Sequence, residues 1–99
     1  MTREEALQRL RPREAELKAS GLAALYLFGS TARNEATESS DVDLLFEVGS
    51  MSGFNLLHQA LLRERLEHLL GHPVDLVSRK ALRARMKARV EAELVPVFQ

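Results

Sequence analysis

The chain has no cysteine and no tryptophan, and Tyr26 is its one tyrosine. Without thiols, a disulfide framework and a cysteine-ligated metal site are both excluded. It also lacks an excess of either charge: fourteen Lys and Arg balance fourteen Asp and Glu. Whole-molecule attraction to nucleic acid is therefore not indicated. Its apolar stretches fall far short of a bilayer span. The acidic, helical N-terminus does not resemble a signal peptide, so a cytoplasmic protein with no membrane contact is expected. Ninety-nine residues suffice for one modest core and not for two, which gives a single domain over 1–99. There is no P-loop lysine motif, no His-Glu-x-x-His and no nucleophile elbow. His68 and His72 lie four apart, but Gly71 and Pro73 interrupt any helix that would align them on zinc.

What is present is a regular alternation of helical and extended patterns. Thr2 and Glu5 form a capping box ahead of Leu7, Leu10 and Leu17. Pro12 should kink or break that helix, and Gly21 should end it. Ala23 to Phe28 reads as a buried strand, Thr31 to Glu35 as a short helix or turn, and Val42 to Val48 as a second strand. Gly49-Ser50-Met51-Ser52-Gly53 reads as a loop flexible enough to gate a site. From Phe54 to Leu70 leucines cover more than one helical face, and Gly71 with Pro73 stops the helix. Val74 to Val77 reads as a third strand. Ser78 then caps a last helix through about Leu94, with Leu82, Met86, Val90 and Leu94 recurring every fourth residue. The fold class is α/β: a small mixed sheet of three or more strands with helices packed on one face, leaving the other face free.

The chemistry concentrates between the first two strands. Gly29-Ser30 stands where a strand turns into a short helix, and ten residues later Asp41-Val42-Asp43 opens the next strand. Glycine lets backbone approach a phosphate with no side chain in the way, and the free N–H groups at a helix start favour negative charge. Strand alternation puts Asp41 and Asp43 on one face, about 6–7 Å apart along the chain. Hard oxygen ligands on a rigid edge suit Mg²⁺, which takes one or two carboxylates and completes its shell with water and phosphate. Alone, the pair reads first as solvated residues at a strand entrance. Asp75, flanked by Val74, Leu76 and Val77, shifts that balance, because a carboxylate there is costly to bury unless paired or metal-bound. Arg33 can clamp a triphosphate through its planar fork, or pair with Glu35 or Glu38 at the surface.

Gly29-Ser30-Thr31-Ala32-Arg33, followed by Ser40-Asp41-Val42-Asp43-Leu44, resembles the signature of the minimal nucleotidyltransferases. These belong to the DNA polymerase β-like superfamily, which also contains kanamycin nucleotidyltransferase. His72-Pro73-Val74-Asp75-Leu76-Val77 looks like the family's third strand, with its third carboxylate at Asp75, and the likeness covers nearly the whole chain. Many members have glycine where Asn34 stands, and asparagine tolerates the same left-handed backbone. The resemblance implies the polymerase β-like fold. It implies two Mg²⁺ held by Asp41, Asp43 and Asp75, the same three acids being catalytic, with Asp75 able to help deprotonate the attacking hydroxyl. It implies a triphosphate bound by Gly29, Ser30 and Arg33, with ATP as the donor of AMP.

The resemblance also implies a partner. The second domain with which larger relatives grip base and acceptor is not expected within 1–99. Stand-alone members typically act as antitoxins to a small helical HEPN ribonuclease, by AMP transfer onto a hydroxyl of that toxin or by direct contact. A hetero-oligomer with no direct nucleic-acid binding is thus expected. The rival expectation is a non-catalytic module that neutralises its partner through its helices. The leucine-rich helix is divided between core and partner surface, and the basic run Arg79 to Arg89 reads first as a solvated helix face.

Overall fold

The computed structural model describes residues 1–50 and 53–99. The expected gating loop falls partly on Met51 and Ser52, outside the described residues. Helix α1 (Arg3–Leu10) opens on the Thr2–Glu5 capping box, both reciprocal hydrogen bonds being made at 3.1 Å. Pro12 sits in a 3₁₀ turn over Arg11–Arg13, which separates α1 from α2 (Glu14–Ala19), as a residue without an N–H must. Strand β1 (Leu22–Phe28) runs into the four-residue helix α3 (Gly29–Ala32). Strand β2 (Val42–Val48), helix α4 (Leu56–Leu70) and strand β3 (Val74–Ser78) follow. Gly71 ends α4 at φ 70°, the left-handed C-cap conformation that favours glycine.

Several boundaries depart from expectation: the short helix expected over Thr31 to Glu35 lies at Gly29–Ala32, and α4 starts at Leu56 rather than Phe54. Ser78 does not cap a helix; it is the last residue of β3. A 3₁₀ turn over Arg79–Ala81 separates it from α5 (Ala84–Glu93), which starts without a side-chain cap. The last helix ends at Glu93, as expected to within a residue, and Val95–Phe98 then forms a fourth strand, β4. Pro96 is tolerated there because β4 is an edge strand, where a missing N–H need not break a ladder.

The sheet order is β3-β2-β1-β4. β1 pairs antiparallel with β2 and β4, and β2 pairs parallel with β3, with Asp43 level with Asp75. Odd and even positions of the strands build two cores. Leu25, Leu27, Leu44, Phe46 and Leu76 face the main helical layer, packing with Leu10 of α1, Leu17 of α2 and Leu62, Leu66 and Leu70 of α4. The opposite face carries Ala24, Tyr26 and Leu45, covered in part by Val90 of α5 and flanked by Leu82 and Leu94. The expected one-sided layer is present, and α5 adds a smaller cover on the second face.

That second face is tied down by Arg79. Its guanidinium bonds Glu47 of β2 and, at 2.9 and 3.1 Å, Glu91 of α5, and lies 5.4 Å from the Tyr26 ring centroid. Tyr26 is buried and reaches Gln99 through its hydroxyl at 3.2 Å. Most arginines outside the 79–89 segment are held by carboxylates or carbonyls, whereas Arg83, just before α5, and Arg85 and Arg89 on it stand exposed. No described helix is long and apolar enough to cross a membrane.

Candidate active site

The six residues singled out in the sequence meet where β1 ends and β2 and β3 begin. Phe28 is opposite Asp43 across the β1–β2 ladder, so the turn at Gly29 is carried directly onto the Asp43 carboxylate. Gly29 has φ +70°, and a Cβ at that position would lie 2.1 Å from Asp43 Oδ2. Both its backbone conformation and its space therefore require glycine. Across the β2–β3 ladder Asp43 is level with Asp75, and Asp41 precedes the strand with the same parity. Asp43 is half-buried whereas Asp41 and Asp75 are exposed. The cost of burying Asp75, expected from its apolar neighbours, is not incurred, because β3 is an edge strand.

The burden falls on Asp43. Burial, then the neighbouring charges of Asp75 and Asp41, push its pKa up from 3.8 to about 6, with Arg33 acting in the opposite sense. Like charges around a half-buried carboxylate disfavour ionisation unless a cation arrives. Among the described residues none of the three aspartates has a hydrogen bond or ion pair to relieve this. No group of three His, Cys, Asp or Glu donors stands assembled as a ready metal cage among them either. The donor set still fits Mg²⁺, since two carboxylates on adjacent strands supply hard oxygens and a bound triphosphate supplies the remainder.

Ser30 follows Gly29 in the same turn, half-buried, its hydroxyl free of hydrogen bonds among the described residues. Arg33, one turn on, is exposed and bonds Glu35 at 3.2 Å, one of the two surface acids its sequence position offered. It also bonds a residue that the sequence did not single out. Glu93, at the end of α5, places one carboxylate oxygen 3.0 Å from Arg33 Nη1 and 3.2 Å from the Gly29 amide, which donates to it. No local pattern marks Glu93; it reaches the site only because α5 crosses the second face of the sheet toward β4.

The site is an open edge rather than a cleft. A cleft of about 800 Å³, lined by Leu17, Gly21, Gly49, His58, Leu61 and Arg65, lies at the other ends of β1 and β2 and contains none of these residues. Its lining is one side of α4, the end of α2 and the facing strand ends, with one ion pair, Arg65–Glu16, so the acidic edge is the better candidate for chemistry.

Comparison with known proteins agrees with the geometry. A family described as the nucleotidyltransferase domain matches residues 5–97. The chain is 40% identical over 77 residues to the protein adenylyltransferase MntA of Thermococcus cleftensis, covering 78% of this chain and 76% of that one. A solved structure of a proposed minimal nucleotidyltransferase superposes with a TM-score of 0.80 at 40% identity, covering 97% of this chain and 96% of that one. A tri-AMPylated Shewanella oneidensis HEPN toxin in complex with MNT antitoxin gives a TM-score of 0.66 at 19% identity, with 93% and 71% coverage, a likeness of fold. A strand-end glycine pressed onto one of three converging aspartates, in a chain matched almost end to end, places this protein in the nucleotidyltransferase family, in its minimal form.

Proposed function

We propose that this nucleotidyltransferase, working as one domain over 1–99, transfers AMP from ATP to a side-chain hydroxyl of a partner protein. The partner we propose is a helical HEPN ribonuclease toxin, which the transfer neutralises in the cytoplasm. The observation that supports this most directly is the placing of Asp41, Asp43 and Asp75 beside Gly29, where burial and the two neighbouring carboxylates raise the pKa of Asp43 to about 6. The named relative MntA and the AMPylated toxin complex support the choice of adenylate and of a protein acceptor.

In this reading Asp41, Asp43 and Asp75 would hold Mg²⁺, two ions being the expectation. The metal supplies neutralisation of phosphate charge and polarisation of the α-phosphorus. Gly29 offers its amide, Ser30 its hydroxyl and Arg33 its guanidinium to the β- and γ-phosphates. Asp75, exposed at the sheet edge, takes the proton of the incoming hydroxyl. The acceptor oxygen forms a bond to the α-phosphorus as the bond to pyrophosphate breaks, and pyrophosphate leaves. Such chemistry is mostly positioning and electrostatics, which a domain of this size can supply. The test is intact-mass spectrometry of the partner after incubation with Mg·ATP. Wild type should add adenylate to it and Asp75→Asn should not, while the complex of the two proteins survives. Transfer by Asp75→Asn at the wild-type rate would remove the proposed role of that residue.

A second reading is favoured by a different observation. Leu56, Leu57 and Leu61 on α4 are 83, 67 and 56% exposed, an apolar surface next to the buried Leu62 and Leu66. A module that neutralises its partner by contact alone would use such a surface. Leu57→Ser with Leu61→Ser should then abolish both the complex and neutralisation, whereas Asp43→Asn should leave neutralisation untouched. Loss of neutralisation in Asp43→Asn with the complex intact would decide for transfer.

A further inference from the structure

We infer that Glu93 is an internal occupant of the triphosphate subsite, a carboxylate that nucleotide must displace from Gly29 and Arg33. The inference rests on the proposed phosphate-binding role of those two residues. It deepens that reading by naming what holds their donors when nucleotide is absent. One Glu93 oxygen accepts from both the Gly29 amide, at 3.2 Å, and Arg33 Nη1, at 3.0 Å. That is an anionic oxygen on the two donors assigned to phosphate. The second Arg33 contact goes to Glu35, so the guanidinium is shared between two carboxylates. Of the two, Glu93 is the more sequestered, its side chain 23% exposed against 66% for Glu35.

The placement is built into the fold. Val90, one turn before Glu93, is buried against Ala24, Tyr26 and Leu45, and Leu94 packs on the same cluster. Val95 then pairs with Leu27 of β1. The backbone on both sides of Glu93 is held by these contacts, so its displacement falls to the side chain. Gly29 is thus flanked by acid: Glu93 accepts from its amide, and the Asp43 carboxylate occupies the space a Cβ would take. With Glu93 in place, a metal-free triphosphate meets Asp41, Asp43, Asp75 and Glu93, while Arg33 is already committed to Glu35 and Glu93. Binding then needs Mg²⁺ to offset the aspartates, and phosphate to win two donors from a tethered competitor. Because the competitor acts on phosphate donors alone, it lowers affinity for every triphosphate alike, whatever the base.

The measurements are calorimetric titrations of Mg·ATP, and of ATP in EDTA, into wild type, Glu93→Gln and Glu93→Ala. Both variants should bind Mg·ATP roughly three- to tenfold more tightly, the range for a partly exposed, charge-assisted contact. KM for ATP in partner modification should fall with kcat held within about twofold, the pattern of a ground-state competitor removed. Unchanged or weaker Mg·ATP binding by the folded variants overturns the inference. Should the variants melt early, the wild type still decides: the Gly29 amide resonance must shift on saturation with Mg·ATP, and an unmoved resonance overturns the inference. Asp43→Asn separates the two levels. Binding lost in Asp43→Asn but unaltered in Glu93→Gln would sink the internal competitor and leave the active-site reading standing. No binding by any form would sink both.

Discussion

Asp43→Asn should stabilise the fold while destroying the site. The substitution keeps the side chain's shape and removes the charge that burial, Asp75 and Asp41 all oppose. A rise from 3.8 to about 6 would correspond to about 3 kcal/mol at 1.36 kcal/mol per pKa unit. Asp43 keeps substantial solvent access, so screening reduces this to about 1 kcal/mol. The sign follows from proton linkage. Between pH about 4 and 6 the folded chain holds a proton that the unfolded chain has released, so stability falls as pH rises through that window. Below pH 4 the carboxyl is protonated in both states and the destabilisation is absent; above pH 6 it is fully expressed. Thermal melts followed by circular dichroism in EDTA should therefore show the variant about 4–8 °C more stable at pH 8, a typical shift for 1 kcal/mol in a domain of this size. At pH 3.5 the gain should shrink toward zero. Mg·ATP should raise the melting temperature of wild type and leave the variant unmoved. A variant less stable than wild type at pH 8, or equally stabilised at pH 3.5, would refute the electrostatic argument.

Gly29→Ala should act on the same carboxylate by force. Its Cβ would lie 2.1 Å from Asp43 Oδ2 at φ +70°, so backbone strain of about 1–2 kcal/mol should appear as a lower urea midpoint. Displacing the carboxylate by about 1 Å should also cut transfer on the order of a hundredfold, and full activity would show that the close approach is dispensable. Arg79→Met should cost about 1–2 kcal/mol, because Glu47 and Glu91 lose a partly exposed shared cation. Adding Glu91→Gln to that variant should recover part of the loss in denaturant melts, and a purely additive further loss would count against the shared-cation account.

Much of this molecule is local in origin and was legible in order. The Thr2–Glu5 box, the break at Pro12, the left-handed stop at Gly71 and the strand Val42–Val48 each depend on residues within a few positions of one another. The spacing from Gly29-Ser30 to Asp41 and Asp43 is likewise a property of the chain, because a turn and a strand start fix where those groups can point. What only tertiary structure decided depends on partners far away in sequence. Four residues with a proline, Val95–Phe98, have no strand signal of their own and become β4 because β1 offers an unpaired edge. Asp75 is exposed because β3 is outermost, a fact of strand order that its apolar neighbours Val74 and Leu76 could not convey. Glu93 meets Gly29 and Arg33 across 64 and 60 residues of sequence, and only the path of α5 over the second face of the sheet brings that carboxylate to them. Helix caps and strand runs are paid for locally and can be read locally, whereas edge, order and long-range charge pairing exist only once the sheet has closed.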